Sequence, residues 1–330
     1  MTLIIEDRHV REMISVGDAI EALRVAYLES VGGRIIEADR SNMILPNGFL
    51  RVMAAAWPER KLAGYKQFHR INGRVRYAYH LYDSSNGEQL AILDANHLTA
   101  LRTGACGGLG ADILARPDAN VVGIVGSGAE ARSQLAGVLA VRPVEKIKVF
   151  SRTAERRRRF CEEVTAEFGI EATPCDDAPS ALAGAEIIIV ATATGSAGPA
   201  FFGEWLDHPG VHINSIGSTL PSQRELDEEV WRRVDQVVID AALLLDESGD
   251  AIAARKKGTI DPERVALLGD LVAGKVPGRV RDDDLTMYKS VGSALQDLAV
   301  AAWVYERAKS DADRFQRMPD FQSVTVVGGL

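Results

Sequence analysis

The chain has 330 residues, of which 46% are hydrophobic and 25% are charged, and this size and composition predict a globular protein with two domains. A formal net charge of −8 argues against nucleic acid as the main partner, because binding the phosphate backbone requires a basic surface. Three cysteines without CxxC spacing make a disulfide framework or a zinc site unexpected, and no apolar run suggests a membrane partner.

The first third of the chain predicts an α+β domain with an antiparallel sheet. Its opening, MTLIIEDRHVREM, lacks the apolar core of a signal peptide, so we expect a cytoplasmic protein. Apolar residues at helical spacing predict a helix over 10–33 with Ser15 as a cap, and small residues predict another over 98–114. Short strands between PNG, ING and SSNGE turns are predicted at 35–45, 49–56, 62–69, 78–83 and 89–93.

From Asn120 the pattern changes to apolar strands that alternate with helices. This pattern predicts a parallel sheet covered on both faces, which is a Rossmann-type α/β domain. A final helix over 297–310 is expected to fold back onto the first domain. We therefore divide the chain into an N-terminal domain of residues 1–115, completed by about 297–330, and a Rossmann domain of residues 116–296. The strands predicted in the second domain are 121–125, 146–150, 187–191, 211–216 and 236–240.

Residues 121–131, VVGIVGSGAEA, have the order strand, glycine turn, helix that binds the pyrophosphate of a dinucleotide. Gly126 allows the tight turn, Gly128 lets the backbone approach the phosphates, and Ala131 takes the third small position. The turn therefore predicts a dinucleotide site that includes Gly126, Ser127, Gly128, Ala129 and Glu130.

The end of the second predicted strand indicates which dinucleotide binds. Ser151, Arg152 and Thr153 stand there, without the Asp or Glu that accepts a ribose 2′-hydroxyl group. These side chains suit a 2′-phosphate, with Arg156 and Arg157 one turn further on, and they favour NADP(H) over NAD(H). The alternative is that RTAERRRRF is only a solvated helix face.

Three cations in the N-terminal part are candidates for catalysis: Arg40, Lys66 and Arg102. Buried cations need partners, and two guanidinium groups that hold a carboxylate, beside an ammonium group that donates a proton, would meet this need. Each residue taken alone is better explained by a salt bridge or a surface position. Their combination with a nicotinamide site favours the catalytic interpretation.

Six sequence blocks, in chain order, are LTALRTGA at 98–105, IVGSGAEA at 124–131, VFSRT at 149–153, FFGEWLDHPGVHINSIGS at 201–218, REL at 224–226 and YKSVGSALQDLAVA at 288–301. Together these blocks resemble the ornithine cyclodeaminase and mu-crystallin family. The resemblance implies a homodimer formed through the N-terminal sheet, a Rossmann domain inserted before a returning helix, and an amino or imino acid bound between the domains.

The resemblance also implies roles for individual residues. It assigns Arg40 and Arg102 to the substrate carboxylate, Lys66 to the active site, and Thr103 to the cofactor phosphates. The Ser-Arg-Thr sequence is similar to the Asn-Arg-Thr of NADP-binding members, whereas the NAD-binding cyclodeaminase has an Asp there. We further assign to the cofactor site Ala191, Thr192, Gly217, Ser218, Ser290 and Gly292.

One departure from the family pattern concerns the reaction. Ornithine cyclodeaminase and the related alanine dehydrogenase carry an Asp, suited to activating water or ammonia, where this chain has Thr219. A threonine hydroxyl is a poor general base, and Asp227 and Asp240 lie elsewhere in the motif. Because the ketimine and pyrroline-2-carboxylate reductases of the family also lack this Asp, Thr219 favours reversible NAD(P)H-dependent reduction of a small 2-imino acid.

Two other functions remain open on the sequence. One is a cyclodeaminase or alanine dehydrogenase with a relocated base. The other is a dinucleotide-dependent binding protein without turnover, as the hormone-binding role of mu-crystallin suggests.

A second departure concerns Arg51, which stands where the cyclodeaminase has an acidic residue suited to the distal amine of ornithine. An arginine would repel that amine and would suit a second carboxylate of the substrate. Strand alternation equally allows Arg51 to point to solvent. His69 and His80 also lie on predicted strands, but a lone histidine is more often structural, so neither is placed in the catalytic set.

Overall fold

A computed structural model describes residues 1–195 and 197–320, which form two eight-stranded sheets with helices. Residues 321–330 of the predicted returning segment lie outside the described part. The strands are β1 Thr2–Ile5, β2 Ile36–Glu37, β3 Ser41–Leu45, β4 Gly48–Trp57, β5 Leu62–Ile71, β6 Arg74–Asp83, β7 Gln89–Asp94, β8 Val121–Val125, β9 Lys146–Phe150, β10 Ala172–Pro174, β11 Ile187–Val190, β12 His212–Ser215, β13 Gln236–Ile239, β14 Val265–Leu267, β15 Thr286–Lys289 and β16 Gln316–Met318. The α-helices are α1 Asp7–Met13, α2 Val16–Val31, α3 Asn96–Leu114, α4 Ala129–Leu139, α5 Ala154–Phe168, α6 Ala178–Leu182, α7 Glu228–Arg233, α8 Leu244–Glu247, α9 Gly249–Lys256, α10 Leu268–Val272 and α11 Ala294–Lys309.

The first sheet has the order β16-β1-β7-β6-β5-β4-β2, with β3 also paired to β4. It is antiparallel except where β1 lies parallel to β7, which confirms the predicted sheet. The predicted helix over 10–33 is wrong in one respect, because it is two helices separated by extended residues at Ile14 and Ser15. Ser15 does cap α2, since its Oγ accepts a hydrogen bond from the Asp18 N–H.

The second sheet is entirely parallel, with the order β10-β9-β8-β11-β12-β15-β13-β14. The strand order reverses between β8 and β11, which is the place where an open α/β sheet binds its ligand. All five predicted strands are present, within one or two residues. Strand β15 was not predicted, because TMYK is short and ends in a lysine, yet it lies between β12 and β13 in the middle of the sheet.

Helices α3 and α11 place side chains between the two sheets. Helix α3 packs closely on α4, because a Cβ at Gly104 would clash with the Ser133 carbonyl group and one at Gly137 would clash with the Gly104 carbonyl group. Helix α11 follows β15 and returns to the first sheet, where it contacts β4 and β5. None of the helices in residues 1–195 and 197–320 combines the length and apolar character needed to cross a membrane.

Candidate active site

A cleft of about 450 Å³ lies at the carboxyl ends of β8, β9 and β11, where the order of the second sheet reverses. Gly126 has a φ of 129°, and a Cβ at this position would clash with the carbonyl oxygen of Ala191. The glycine turn is therefore required by both conformation and space. The predicted cofactor residues that line the cleft are Gly126, Ser127, Gly128, Ser151, Arg152, Thr153, Ala191 and Thr192.

The end of β9 joins the glycine turn through a hydrogen bond of 2.8 Å from Ser127 Oγ to Ser151 Oγ. Arg152 is exposed, and Arg156 lies beside it in the lining of the cleft. Arg157 instead is buried and donates to Ser151 O and Asp176 Oδ1, both at 2.8 Å, so it does not face the cleft as its position in sequence suggested. No carboxylate of the described residues lines the cleft.

A second cavity, of about 240 Å³, lies between the first sheet and the carboxyl ends of β12 and β15. We call it the substrate cavity. Arg51 on β4 pairs with Phe68 on β5, and Met53 pairs with Lys66, so these side chains share one face of the sheet. The structure thus points Arg51 into the cavity and not into solvent. The predicted site residues that line it are Arg51, Lys66, Arg102, Thr103, Glu130, Thr219, Ser290 and Gly292.

Lys66 and Arg102 share one carboxylate, that of Asp297 in the first turn of α11. The Lys66 Nζ lies 2.8 Å from Asp297, and the Arg102 Nε donates to Asp297 Oδ1 at 3.0 Å. Arg102 Nη1 also donates to Gln296 Oε1 at 2.8 Å. The Lys66 side chain is 1% exposed and that of Asp297 is 0% exposed, so water does not screen the pair. The result is a buried cluster with two cations and one anion.

Burial, followed by the repulsion of Arg102, lowers the pKa of Lys66 to about 7, although Asp297 acts in the opposite direction. An ammonium group with a pKa near 7 can both give up and take back a proton at neutral pH. Proton transfer is therefore within the chemistry of this side chain, and Asp297 holds its Nζ in place.

Arg40 does not line the substrate cavity, so the structure does not place it in one cluster with Lys66 and Arg102. Arg40 Nη2 donates to Gly292 O at 2.7 Å, Nη1 donates to Val291 O at 3.3 Å, and Nε lies 3.0 Å from Glu247 Oε2. Its side chain instead lines a neighbouring cavity of about 400 Å³. Glu247, at the end of α8, was not identified from sequence and accounts for this orientation.

Thr219 lines the substrate cavity, and its N–H donates to Gln223 Oε1 at 3.0 Å. Neither Asp227 nor Asp240 replaces the missing base in this cavity. Asp227 caps α7 by accepting the Val230 N–H, and Asp240 accepts hydrogen bonds from Ser290 Oγ and the Gly292 N–H, both at 2.6 Å. Both carboxylates are thus structural, and neither lines the cavity.

Gly217 and Ser218 line neither the cleft nor the substrate cavity, and their contact with a cofactor stays a prediction. The Gly217 N–H donates to the buried carboxylate of Glu225 at 2.7 Å, and the same carboxylate accepts the Thr192 N–H at 2.6 Å. The buried Lys289 Nζ contacts Asp250 at 3.1 Å and Ser215 Oγ at 2.9 Å beneath these loops. The REL and YKS blocks therefore hold the strand ends that form the cleft.

The second sheet is Rossmann-type, with a glycine turn at its switch point. A separate cavity is lined by Lys66 from the first sheet and Arg102 from helix α3. These features define a dinucleotide-binding protein with a second ligand site. The chain belongs to the ornithine cyclodeaminase/mu-crystallin family, whose model matches residues 2–312.

Relatives and solved structures cover nearly the whole chain. It is 32% identical over 324 residues to the Delta(1)-pyrroline-2-carboxylate reductase of Bacillus cereus, covering 93% of this chain and 96% of that protein. The Thermococcus litoralis Delta(1)-pyrroline-2-carboxylate reductase, solved with NADH and L-proline, is similar with a TM-score of 0.89 and 33% identity, covering 94% of this chain and 98% of that one. An archaeal alanine dehydrogenase dimer with bound NAD has a TM-score of 0.87 and 30% identity, covering 97% and 99%.

Proposed function

We propose that this protein is a nicotinamide-dependent reductase that converts a small 2-imino acid to the amino acid, reversibly. The observation that carries the proposal is the buried Lys66–Asp297–Arg102 cluster in a cavity where Thr219 replaces a base. The relatives named above support it, since two are reductases of a cyclic imino acid and one of these was solved with NADH and L-proline. When bound, the reduced nicotinamide supplies the hydride that the imine carbon accepts.

The side chains of the cavity have distinct parts in this proposal. Arg102 binds the substrate carboxylate through the part of its guanidinium that Asp297 and Gln296 leave free. Lys66 Nζ supplies the proton that the substrate nitrogen takes up when the carbon–nitrogen double bond is reduced. A role for Arg40 stays a prediction, because its side chain lines the neighbouring cavity, where it pairs with Glu247 and donates to two carbonyl groups.

The test of this proposal is to follow NADPH absorbance with three imines: 1-pyrroline-2-carboxylate, 1-piperideine-2-carboxylate, and iminosuccinate formed from oxaloacetate and ammonium. We expect turnover of at least one imine and no proline from ornithine with NAD. The absence of turnover with all three imines would contradict the proposal. Formation of proline and ammonia from ornithine would establish the cyclodeaminase alternative, with a base other than Asp227 or Asp240.

We also propose that NADP(H) is preferred over NAD(H), with Arg152 and Arg156 at the 2′-phosphate. Support comes from the absence of a carboxylate among the described residues that line the cleft. Replacing Arg152 with alanine should raise the KM for NADPH about 10- to 100-fold, the range expected from losing a charge-assisted hydrogen bond, while the KM for NADH changes little.

The control for this prediction is Arg158→Ala, which removes an exposed arginine of α5 that does not line the cleft. It should behave as the wild type with both cofactors. If Arg152→Ala raised the KM for NADPH and the KM for NADH equally, the assignment of Arg152 to the 2′-phosphate would be contradicted. A wild-type protein with a lower KM for NADH than for NADPH would contradict the cofactor preference.

We further propose that residues 1–115 and the returning helix act as the substrate and dimerisation domain, with 116–296 as the dinucleotide domain. Two exposed apolar side chains on β3, Met43 and Ile44, support a homodimer formed through the first sheet. The archaeal alanine dehydrogenase was solved as a dimer. Sedimentation velocity should give twice the mass of the chain, and a monomer at micromolar concentration would contradict the proposed homodimer.

A further inference from the structure

We propose that the imino acid bound by this site carries a second carboxylate, and that Arg51 binds it. This inference rests on the imine reductase function proposed above. It concerns the class of substrate, a 2-imino dicarboxylic acid, in place of the monocarboxylic cyclic imine named for the two reductases to which this chain is similar.

Arg51 is a buried cation without an ion-pair partner among the residues that the structure describes. The residue is 3% exposed and lines the substrate cavity, where its Nε donates to Asn42 Oδ1 at 2.6 Å. Two aromatic rings lie beside it, since Cζ lies 5.8 Å from the Phe49 ring centre and 5.5 Å from that of Phe68, and the like charge of Arg40 acts on it from nearby. Within residues 1–195 and 197–320, Arg51 forms no ion pair, because Glu247, the carboxylate that acts on it from a distance, is paired with Arg40 at 3.0 Å. A buried guanidinium in this position is costly unless an anion joins it.

The other charged side chains of the cavity do not supply an anion that pairs with Arg51. Lys66 and Arg102 both face Asp297, which neither contacts nor neutralises Arg51. Glu130, at the start of α4, lines the cavity but is exposed and lies within reach of Ser133. A substrate with one carboxylate, held by Arg102, would leave Arg51 without an anion. A second carboxylate on the substrate would supply one.

The spacing of the cations also suits a dicarboxylate. Arg51 lies opposite Phe68 and Lys66 lies opposite Met53, so Arg51 and Lys66 are diagonal neighbours on one face, with Cα atoms roughly 7–8 Å apart. The Lys66 Nζ lies 5.6 Å from the Phe68 ring centre, close to the distance of the Arg51 Cζ from the same ring. An acyclic imine such as iminosuccinate or 2-iminoglutarate has its second carboxylate one or two methylene groups from the reacting carbon, which fits this separation.

The chemical step is the same as for any imine of the class. The imine carbon gains a hydride from NADPH, the π pair of the carbon–nitrogen bond becomes an N–H bond with the proton from Lys66, and NADP⁺ is released. In reverse, the amino dicarboxylate loses a hydride from its α-carbon to NADP⁺ and a proton from its nitrogen. The second carboxylate is unchanged in both directions, so Arg51 determines specificity and takes no part in the proton transfer.

The experiment compares L-aspartate and L-glutamate with L-alanine and L-proline as substrates for oxidation by NADP⁺. We expect wild-type kcat/KM to be at least about tenfold higher for one of the dicarboxylates, from one charge-assisted contact. Arg51→Met should reduce the preference for that dicarboxylate over L-alanine about tenfold or more, and Arg51→Lys should restore part of it. The matched control, Arg70→Met, removes an exposed arginine from β5 and should retain the wild-type preference.

A binding measurement separates this inference from the proposed function. Succinate should raise the melting temperature of the wild-type NADP⁺ complex more than propionate at equal ionic strength, and Arg51→Met should remove the difference. A wild type that prefers L-proline or L-alanine would overturn the inference. An Arg51→Met variant that loses activity equally with all substrates would also overturn it and would assign Arg51 to the α-carboxylate. Protection by succinate without turnover of any amino or imino acid would overturn the reductase function and leave the anion site of Arg51 in place.

Discussion

Replacing Lys66 with methionine should lower the rate of imine reduction about a thousandfold, the middle of the range for loss of a general acid. The methionine keeps most of the side-chain volume at a position that is 1% exposed, and it removes only the ammonium group. The affinity for NADPH should remain nearly unchanged, because Lys66 does not line the cofactor cleft. Stopped-flow absorbance gives the rate, and fluorescence titration gives the dissociation constant.

The pH dependence provides an independent check on Lys66. Because its pKa is lowered to about 7, wild-type imine reduction should slow as pH rises through about 7 and the ammonium form is lost. This limb of the profile should be absent in Lys66→Met. Lys146→Met, which changes an exposed lysine on β9, should retain both the rate and the limb. A Lys66→Met protein with more than about a tenth of wild-type activity would refute the acid role, since proton donation is worth about 100-fold or more.

Asp297→Asn should destabilise the protein by about 3–5 kcal/mol, because it leaves two buried cations without their shared carboxylate. The loss should be larger at pH 6 than at pH 9. Below its pKa of about 7, Lys66 is charged in the folded protein and needs the carboxylate, whereas above that pKa the neutral amine needs it less. Urea unfolding followed by circular dichroism at the two pH values measures both effects.

The control for this prediction is Asp118→Asn, which removes a carboxylate that is 81% exposed beside Arg116. A surface pair of this kind contributes at most about 1 kcal/mol. If Asp297→Asn changed the free energy of unfolding by no more than this control, the cluster would not be an interdependent buried unit, and the placement of Lys66 would need another explanation.

The glycine turn and the strands beside it were predicted to the residue from sequence, because their signals are local. An apolar run, a glycine turn and a helix start all lie within residues 121–131, and β8 and β9 have the predicted bounds. Strands β1 and β16 were not predicted. Each forms because of its pairing with a distant segment, since β1 lies between β7 and β16, and no short-range pattern indicates this.

In the candidate site too, contacts between residues that are distant in the chain could not be predicted from local sequence. Lys66 and Arg102 were identified as cations that accompany a predicted nicotinamide site, but their partner Asp297 lies 231 residues from Lys66 and was treated only as part of a helix. The charged position within LQDLAVAA was the available signal. For Arg40, the pairing with Glu247 depends on how α8 meets the first sheet, which the sequence does not show. The direction of Arg51 depends on the register of β4 and β5.

The most direct test of the central claim follows the hydride itself. The protein is incubated with a 2-imino acid and NADPH that carries deuterium at both C4 positions, and the amino acid product is analysed by mass spectrometry. Reduction of the imine predicts one deuterium at the α-carbon of the product. An amino acid formed without deuterium, or no amino acid from any of the imines, would contradict the assignment of this protein as an imine reductase.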